Sequence, residues 1–314
     1  MMRALTFSLG ALADARFGDP PTRWHPVGLI GRAASVLHAY APAEERARRR
    51  YGIAVALAMP IAAAVAASAV RRTAARKQAL FGLTAEAALL SLACSSKTLL
   101  LRASEVEAAL AAGDLDAARE LLGRHLVSRD TSALDASEVA AATIESVAEN
   151  LSDGIIAPWL AYAFGGLPLA VAYRAANTLD ALWGYRTPEF EALGAGAARL
   201  DDLLNLLPAR VTALAIIAAA RGEDLAGNGN SMRALRVWRR DAALTESPNA
   251  GHPMAAMAGA LGVRLEKGDA YTLGSELPPA ESTDISAAIA LARRAMILAG
   301  SAMFALLLVN RGLK

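Results

Sequence analysis

The chain has 314 residues, of which 55% are apolar and only 5% aromatic, with a mean hydropathy of +0.32. That composition sets aside an ordinary soluble domain and points to a helical membrane protein. A net charge of +2 gives no nucleic-acid signature, and a single cysteine, Cys94, excludes an internal disulfide and a CxxC metal site.

Met2–Ala13 is a short apolar segment and a weak candidate span. It has no small-residue cleavage site, so it is expected to stay attached. The next stretch, Arg16-Phe-Gly-Asp-Pro-Pro-Thr-Arg-Trp-His-Pro-Val, carries prolines that exclude regular helix and predict a fixed loop. Within it His25 and Asp19 suit either a substrate contact or a structural hydrogen bond. Tyr51–Val70 is uncharged over about 20 residues, enough for a bilayer core, and is bracketed by Arg48, Arg49 and Arg50 and by Arg71 and Arg72. Ala79–Cys94, which carries Glu86, is a weaker span, and Cys94 reads as a small packing residue. Glu105–Ala112 and Leu115–Val127, parted by Gly113-Asp114, predict an α-hairpin with Asp114 as N-cap. His38 and His125 have no ligand pattern around them and read as surface residues.

The stretch from Arg129 to Pro158 joins a row of carboxylates to an apolar run. At about 100° per residue, Thr131, Asp135, Glu138, Glu145, Glu149 and Asp153 share one face of a predicted amphipathic helix, with Ile144, Val147, Leu151 and Ile155 opposite. Glu145, Glu149 and Asp153 repeat at i,i+4 with no Lys or Arg three or four residues away, so their charges repel. Either the face is solvated, or it takes a Mg²⁺ ion or a cationic substrate, since hard cations choose carboxylate oxygens.

Gly154–Tyr173 is a second strong span. Its Phe164-Gly-Gly-Leu-Pro168 sequence predicts a broken or re-entrant helix, which relieves a conflict in topology: arginines from Arg221 to Arg240 mark the loop after the next span as cytoplasmic, and two full crossings would put the polar clusters on opposite sides. Tyr173, Asn177 and Asp180 share one helical face, and Asp201 and Asn205 lie one turn apart, Asn205 interrupting the apolar run Leu203–Ala220. Arg210 falls inside that apolar segment, where ionisable groups are costly and are either functional or paired, an Arg210–Asp lock being the structural alternative. Ser247-Pro-Asn-Ala-Gly is a turn, with His252 beside it, and the following small-residue stretch 255–262 permits close approach of a helix or ligand and self-association. Ala295–Val309 is the last span. Strand signals are almost absent, so the fold class is all-α: a polytopic membrane helical protein with extra-membrane helices and loops, in one domain over 1–314. No HExxH, P-loop or GxGxxG motif occurs.

These segments together resemble the adenosylcobinamide-phosphate synthase family of cobalamin biosynthesis (CobD/CbiB). The resemblance is carried by Gly18-Asp-Pro-Pro with His25-Pro-Val, Arg129-Asp-Thr-Ser, Glu145-Ser-Val-Ala-Glu-Asn-Leu-Ser-Asp-Gly, Asn177-Thr-Leu-Asp, Gly184-Tyr-Arg, Ala198-Arg-Leu-Asp-Asp, Pro208-Ala-Arg and Ser247-Pro-Asn-Ala-Gly with Ala256-Met-Ala-Gly-Ala-Leu-Gly-Val-Arg-Leu. It implies a multi-pass enzyme of the cytoplasmic cell membrane that couples cobyric acid to (R)-1-amino-2-propanol phosphate. The coupling is an ATP-dependent amide synthesis through an acyl phosphate, with Mg²⁺. It further implies a catalytic set of Glu145, Glu149, Asp153, Arg129 and Asp130, with Mg²⁺ on Glu145, Glu149 and Asp153 and a second cluster at Asp201 and Asp202. Substrate contacts are expected from Asp19, His25, Asn150, Asn177, Asp180, Arg186, Arg199, Asn205, Arg210, Ser247 and Asn249. The chain departs from the family pattern at Arg174 (often Lys), Thr245 (commonly His) and Met254 (usually Glu).

Two rival classes remain open at this point. A secondary transporter also places Asp, Asn and Arg on broken membrane helices, but no internal repeat is found between the halves. A non-catalytic scaffold for other corrinoid enzymes has no need of the acidic row, which is present.

Overall fold

A computed structural model describes residues 1–20, 25–185, 187–223 and 229–309. Its helices are α1 (Met2–Phe17), α2 (Pro26–Ala39), α3 (Glu45–Lys77), α4 (Ala79–Ser91), α5 (Ser96–Ala111), α6 (Leu115–His125), α7 (Ala136–Leu151), α8 (Ala157–Trp183), α9 (Glu191–Ala219), α10 (Gly229–Asp241), α11 (Gly251–Leu261) and α12 (Ser282–Val309). A five-residue π-helical turn, Ser152–Ile156, joins α7 to α8 without a break. Sheet among the described residues is one antiparallel hairpin of β1 (Leu265–Lys267) and β2 (Tyr271–Leu273), a small departure from the all-α reading. Gly268-Asp269-Ala270 supplies its turn, with Gly268 at φ 46°.

Among the described residues, five helical stretches are long and apolar enough to cross a membrane: Glu45–Arg76, Ala79–Ala111, Ala136–Trp183, Glu191–Ala219 and Ser282–Val309. The chain is a multi-pass helical membrane protein. The weak candidate at Ala79 therefore extends well beyond Cys94, which is buried as expected, whereas α1 is not among the five. Bilayer-facing surface is clearest on α3, where Ile53, Leu57, Ile61 and Val65 recur every four residues and all stand exposed. Such a row on a helix long and apolar enough to cross a bilayer suits contact with lipid.

The chain divides into two compact units. The first holds Met1–Ser95, Ala157–Asn205 and the residues from Ala302 onward; the second holds Ser96–Ile156 and Leu206–Ser301. In the first unit α3 packs on α8 and α4, α1 on α4, and α2 on α8. Its core is Ala34, Val55, Ala56, Met59, Leu179, Trp183, Leu193 and Ala197. Gly52 and Gly196 let α3 and α9 approach so closely that a Cβ on Gly52 would overlap the Leu193 carbonyl. His38, read as a surface residue, is half-buried here: its ring lies against Phe190, and its Nε2 is 3.4 Å from Glu189. α8 breaks where Gly-Gly-x-Pro foretold, at Gly166, with φ 70° and ψ −164°.

In the second unit α5 and α6 form the expected α-hairpin. Asp114 caps α6 by accepting from the Ala117 amide at 2.9 Å. α7 packs against α5, α6, α11 and β1, and α10 against α11. α7 begins with a capping box: Asp135 accepts from the Glu138 amide at 2.8 Å, and Glu138 accepts from the Asp135 amide at 2.7 Å.

Candidate active site

Two local features correct the picture of a uniform acidic face. Thr131 lies outside α7, in the preceding turn, where its hydroxyl donates to the Arg119 carbonyl at 2.8 Å. The π turn then starts at Ser152, so Asp153 leaves the 100° register that holds Glu145 and Glu149 one above the other. Nor is the helix amphipathic in place: Val139 to Ala148 are all buried, because neighbouring elements cover α7 on its polar side as well. A solvated row is thereby ruled out for Glu145, which is 6% exposed.

Glu145 is the centre of the second unit's polar site. Its Oε1 is buried with no hydrogen-bond partner, and its Oε2 lies 4.0 Å from a terminal nitrogen of Arg129. That distance is longer than a hydrogen bond, so the pair is electrostatic. From β2 the Tyr271 hydroxyl faces the same carboxyl and also reaches Met254 Sδ at 4.0 Å. Burial first, and then the Glu145 carboxylate, push the Tyr271 phenol above its ordinary pKa, so it stays a neutral donor. Tyr271 was not foreseen from the sequence, although the Gly-Asp turn between Leu265–Lys267 and Tyr271–Leu273 carries a hairpin signal. Met254 occupies the wall of this site, which gives that departure a physical meaning: a thioether stands where a carboxylate would add a second negative charge beside Tyr271.

The hairpin is held by the end of α10. Asp241 accepts two bonds from Arg240, at 2.6 and 2.8 Å, and one from the Gly274 amide at 2.7 Å, while Arg240 also donates to Glu276 at 2.7 Å. Burial alone would raise the Asp241 pKa, but these donors outweigh it and hold the carboxyl below the usual range. Gly274 follows β2 directly, so the clamp fixes the strand that carries Tyr271.

Other candidates on this unit are engaged locally. Asp130 is exposed and folds onto the Ser132 amide and hydroxyl at 2.9 and 3.0 Å, which lowers its pKa. Asn150 donates back to the Ser146 carbonyl at 3.0 Å. Ser247 caps the turn before α11, its Oγ accepting from the Asn249 and Ala250 amides at 3.2 and 3.3 Å, and Thr245 donates to the Ser247 carbonyl at 2.8 Å. Arg210 donates to the Leu206 carbonyl at 2.7 Å and to Asn249 Oδ1 at 3.4 Å, where an aspartate lock had been one of the two alternatives. Trp238 donates to His252 Nδ1 at 2.9 Å, and burial, followed by Arg210, lowers the His252 pKa.

The first unit carries a separate polar network between α8 and α9. Asp201 accepts from Asn177 at 3.2 Å and from Asn205 at 2.9 Å; Tyr173 donates to Asn205 at 2.7 Å, and Arg174 to Asn177 at 3.3 Å. Each carboxylate oxygen of Asp201 thus has an amide donor, an arrangement that locks two membrane helices together. Asp180 and Asp202 are half-buried and Arg199 is exposed; Arg186 lies outside the described residues. His25 caps α2, its Nδ1 accepting from the Val27 amide at 3.1 Å, while its Nε2 lies 3.3 Å from Asp19.

Among the described residues no three His, Cys, Asp or Glu side chains converge as a ready-made metal cage. The donor chemistry at Glu145 still fits Mg²⁺, which commonly takes one or two carboxylates and completes its shell with water and substrate phosphates. The orphaned buried Oε1 is the atom such an ion would satisfy.

Comparison with known proteins gives a consistent result. The CobD/Cbib protein family model matches residues 7–298. The chain is 40% identical over 307 residues to the cobalamin biosynthesis protein CobD of Chromobacterium violaceum, covering 95% of each chain. It is 41% identical over 283 residues to the CobD of Geobacter metallireducens, with 87% and 86% covered, and 37% identical over 314 residues to that of Mycobacterium tuberculosis, with 98% and 96% covered. No solved structure matches. A family model spanning both units, and relatives covered almost end to end, establish that this chain belongs to the CobD/CbiB family.

Proposed function

We propose that the chain acts in cobalamin biosynthesis as an ATP-dependent amide ligase of the cytoplasmic membrane, joining cobyric acid to (R)-1-amino-2-propanol phosphate. The observation that carries this reading is the buried Glu145, with one unpartnered oxygen, flanked by the Arg129 guanidinium and the Tyr271 hydroxyl. Membership of the family supports the pathway, and the arginines of α10 support a cytoplasmic side, where ATP is available.

The chemistry runs in two steps. A propionate oxygen of the corrinoid attacks the γ-phosphorus of ATP, the bond to the β-phosphate oxygen breaks, and ADP leaves. The amine nitrogen then attacks the acyl carbon of the mixed anhydride, the acyl carbon–oxygen bond breaks, and inorganic phosphate leaves. Arg129 neutralises charge on the transferred phosphoryl group. Glu149, one turn from Glu145, orients the ammonium form of the amine and receives its proton. Tyr271 fixes the Glu145 carboxyl rotamer from the hairpin side. Mg²⁺, when bound, would supply charge neutralisation to the ATP phosphates, with Glu145 as its protein ligand.

The test is a mass-spectrometric assay of the detergent-solubilised protein with adenosylcobyric acid, aminopropanol phosphate, Mg²⁺ and ATP, against mixtures lacking one component each. Corrinoid amide formed only in the complete mixture is the expected result. Uptake of substrate into sealed vesicles without ATP cleavage would replace the ligase reading with transport, and corrinoid binding without either would favour a scaffold.

A further inference from the structure

The 13-residue helix α10 carries four arginines, Arg233, Arg236, Arg239 and Arg240, and one acid, Asp241. Its two sides do different things. Ser231, Ala234, Val237 and Asp241 are buried, and the helix lies so close to α11 that a Cβ on Gly259 would come within 2.7 Å of the Ala234 Cα. Two of the arginines serve the packed side. Arg233 caps the end of α11, donating to the Gly259 and Ala260 carbonyls at 2.7 and 3.1 Å, and Arg240 is held by Asp241 and Glu276.

Met232, Arg236 and Arg239 follow one another at i, i+4 and i+7 on the other side, and all three are exposed. Arg236 and Arg239 make no hydrogen bond or ion pair among the described residues. Asp241 is engaged by Arg240 and by the Gly274 amide, so no acid on α10 neutralises them. The outer face therefore presents two free guanidiniums beside an apolar side chain that is 53% exposed.

One contact fixes the level of this face. Ser231 Oγ donates to the Ile217 carbonyl at 2.9 Å, and Ile217 is two residues from the end of the crossing stretch Glu191–Ala219. The start of α10 is thus fastened where α9 leaves the apolar core of the membrane. At 1.5 Å per residue, Arg236 and Arg239 lie at most about 8 and 12 Å farther along, whatever the tilt of the helix. The headgroup layer is about 5–8 Å deep on each side, and charges act over a Debye length of about 8 Å, so both guanidiniums stay within reach of the leaflet.

From this placement we propose that the outer face of α10 is a docking surface for acidic phospholipid headgroups, with their phosphates at Arg236 and Arg239 and Met232 turned into the interface. Positive charge meets negative charge there, and each arginine strengthens the association about fivefold. A lipid is favoured over an acidic protein because the Ser231 anchor keeps both arginines at headgroup level. The surface requires nothing of the ligase chemistry.

The test uses the full-length protein with a nitroxide on Met232→Cys, in nanodiscs of phosphatidylcholine alone or with increasing phosphatidylglycerol. Cys94, the only other cysteine, is buried, so the label reports on α10. Electron paramagnetic resonance compares its collisions with oxygen, which concentrates in lipid, and with a nickel complex, which stays in water. Phosphatidylglycerol is expected to raise the oxygen-to-nickel ratio, and high salt to reverse the rise. Arg236→Gln is expected to raise the phosphatidylglycerol fraction needed for half the change about fivefold, and Arg236→Gln combined with Arg239→Gln to abolish the change. Both side chains are exposed and make no bond among the described residues, so an unaltered unfolding midpoint is expected to accompany the loss. A ratio indifferent to phosphatidylglycerol overturns the proposal and leaves the two arginines to an acidic protein. A response retained in full by the double variant also overturns it, and assigns the lipid effect to the arginines that flank other crossing stretches.

Discussion

Glu145→Gln separates the catalytic from the structural meaning of the buried carboxylate. At 4.0 Å and an effective dielectric constant of about 20, a full charge pair with Arg129 gives about 4 kcal/mol of attraction. Removing ions from water costs several kcal/mol for each, so attraction and desolvation nearly cancel. Losing one partner of a buried pair is usually severe because the other is stranded, but the Arg129 side chain is 28% exposed and water can solvate it. Glutamine keeps the shape and an acceptor for Tyr271. The substitution is therefore expected to change stability by less than about 1 kcal/mol while lowering turnover by about 10²–10⁴-fold, the loss of cation binding beside the proton acceptor Glu149. Thermal unfolding by intrinsic fluorescence in detergent gives the first quantity, and mass-spectrometric amide formation gives the second. Turnover within threefold of the parent would remove Glu145 from the chemistry, and a stability loss of about 3 kcal/mol or more would make the Arg129 pair a structural lock.

Three further outcomes follow from the same geometry. Tyr271→Phe removes the hydroxyl that faces Glu145 and is expected to lower kcat about tenfold with KM little changed, which steady-state kinetics checks. Gly166→Ala forces a Cβ into φ 70°, ψ −164°; the nearest neighbour is 3.6 Å away, so the cost of about 1–3 kcal/mol is backbone strain rather than a clash, and a lowered unfolding midpoint measures it. Asp241 has a depressed folded-state pKa, so its stabilisation is present above its unfolded pKa of about 3.9 and disappears as pH falls through the folded value. Asp241→Asn is accordingly expected to cost about 1.5–3 kcal/mol at neutral pH and to flatten the acid limb of the stability curve, and an unflattened limb would show that other carboxylates set it.

Much of this architecture was legible as pattern. Apolar runs near Tyr51, Gly154, Leu203 and Ala295 fall within crossing stretches because a helix satisfies its own backbone groups inside a bilayer core. Gly113-Asp114 and Gly165-Gly166-Leu167-Pro168 mark a hairpin and a helix break because they act through local dihedral limits and capping. The site was legible only as a list of residue types. Spacing along α7 could not show that Thr131 lies off the helix or that a π turn moves Asp153 out of register, since both depend on how the flanking segments are held.

Sequence alone therefore determined the membrane class, the family motifs and the acidic helix, all set by short-range chemistry and by the hydrophobic length needed to cross lipid. Tertiary structure alone decided which polar groups matter to one another. Packing around α7 buried Glu145 and left one of its oxygens unmatched, the α10 clamp on Gly274 brought Tyr271 to that carboxyl, and the pairing of α8 with α9 brought the Asn177 amide to Asp201. Those contacts join residues from 24 to 126 positions apart in the chain, a separation that no local periodicity encodes and that only burial of the helices enforces.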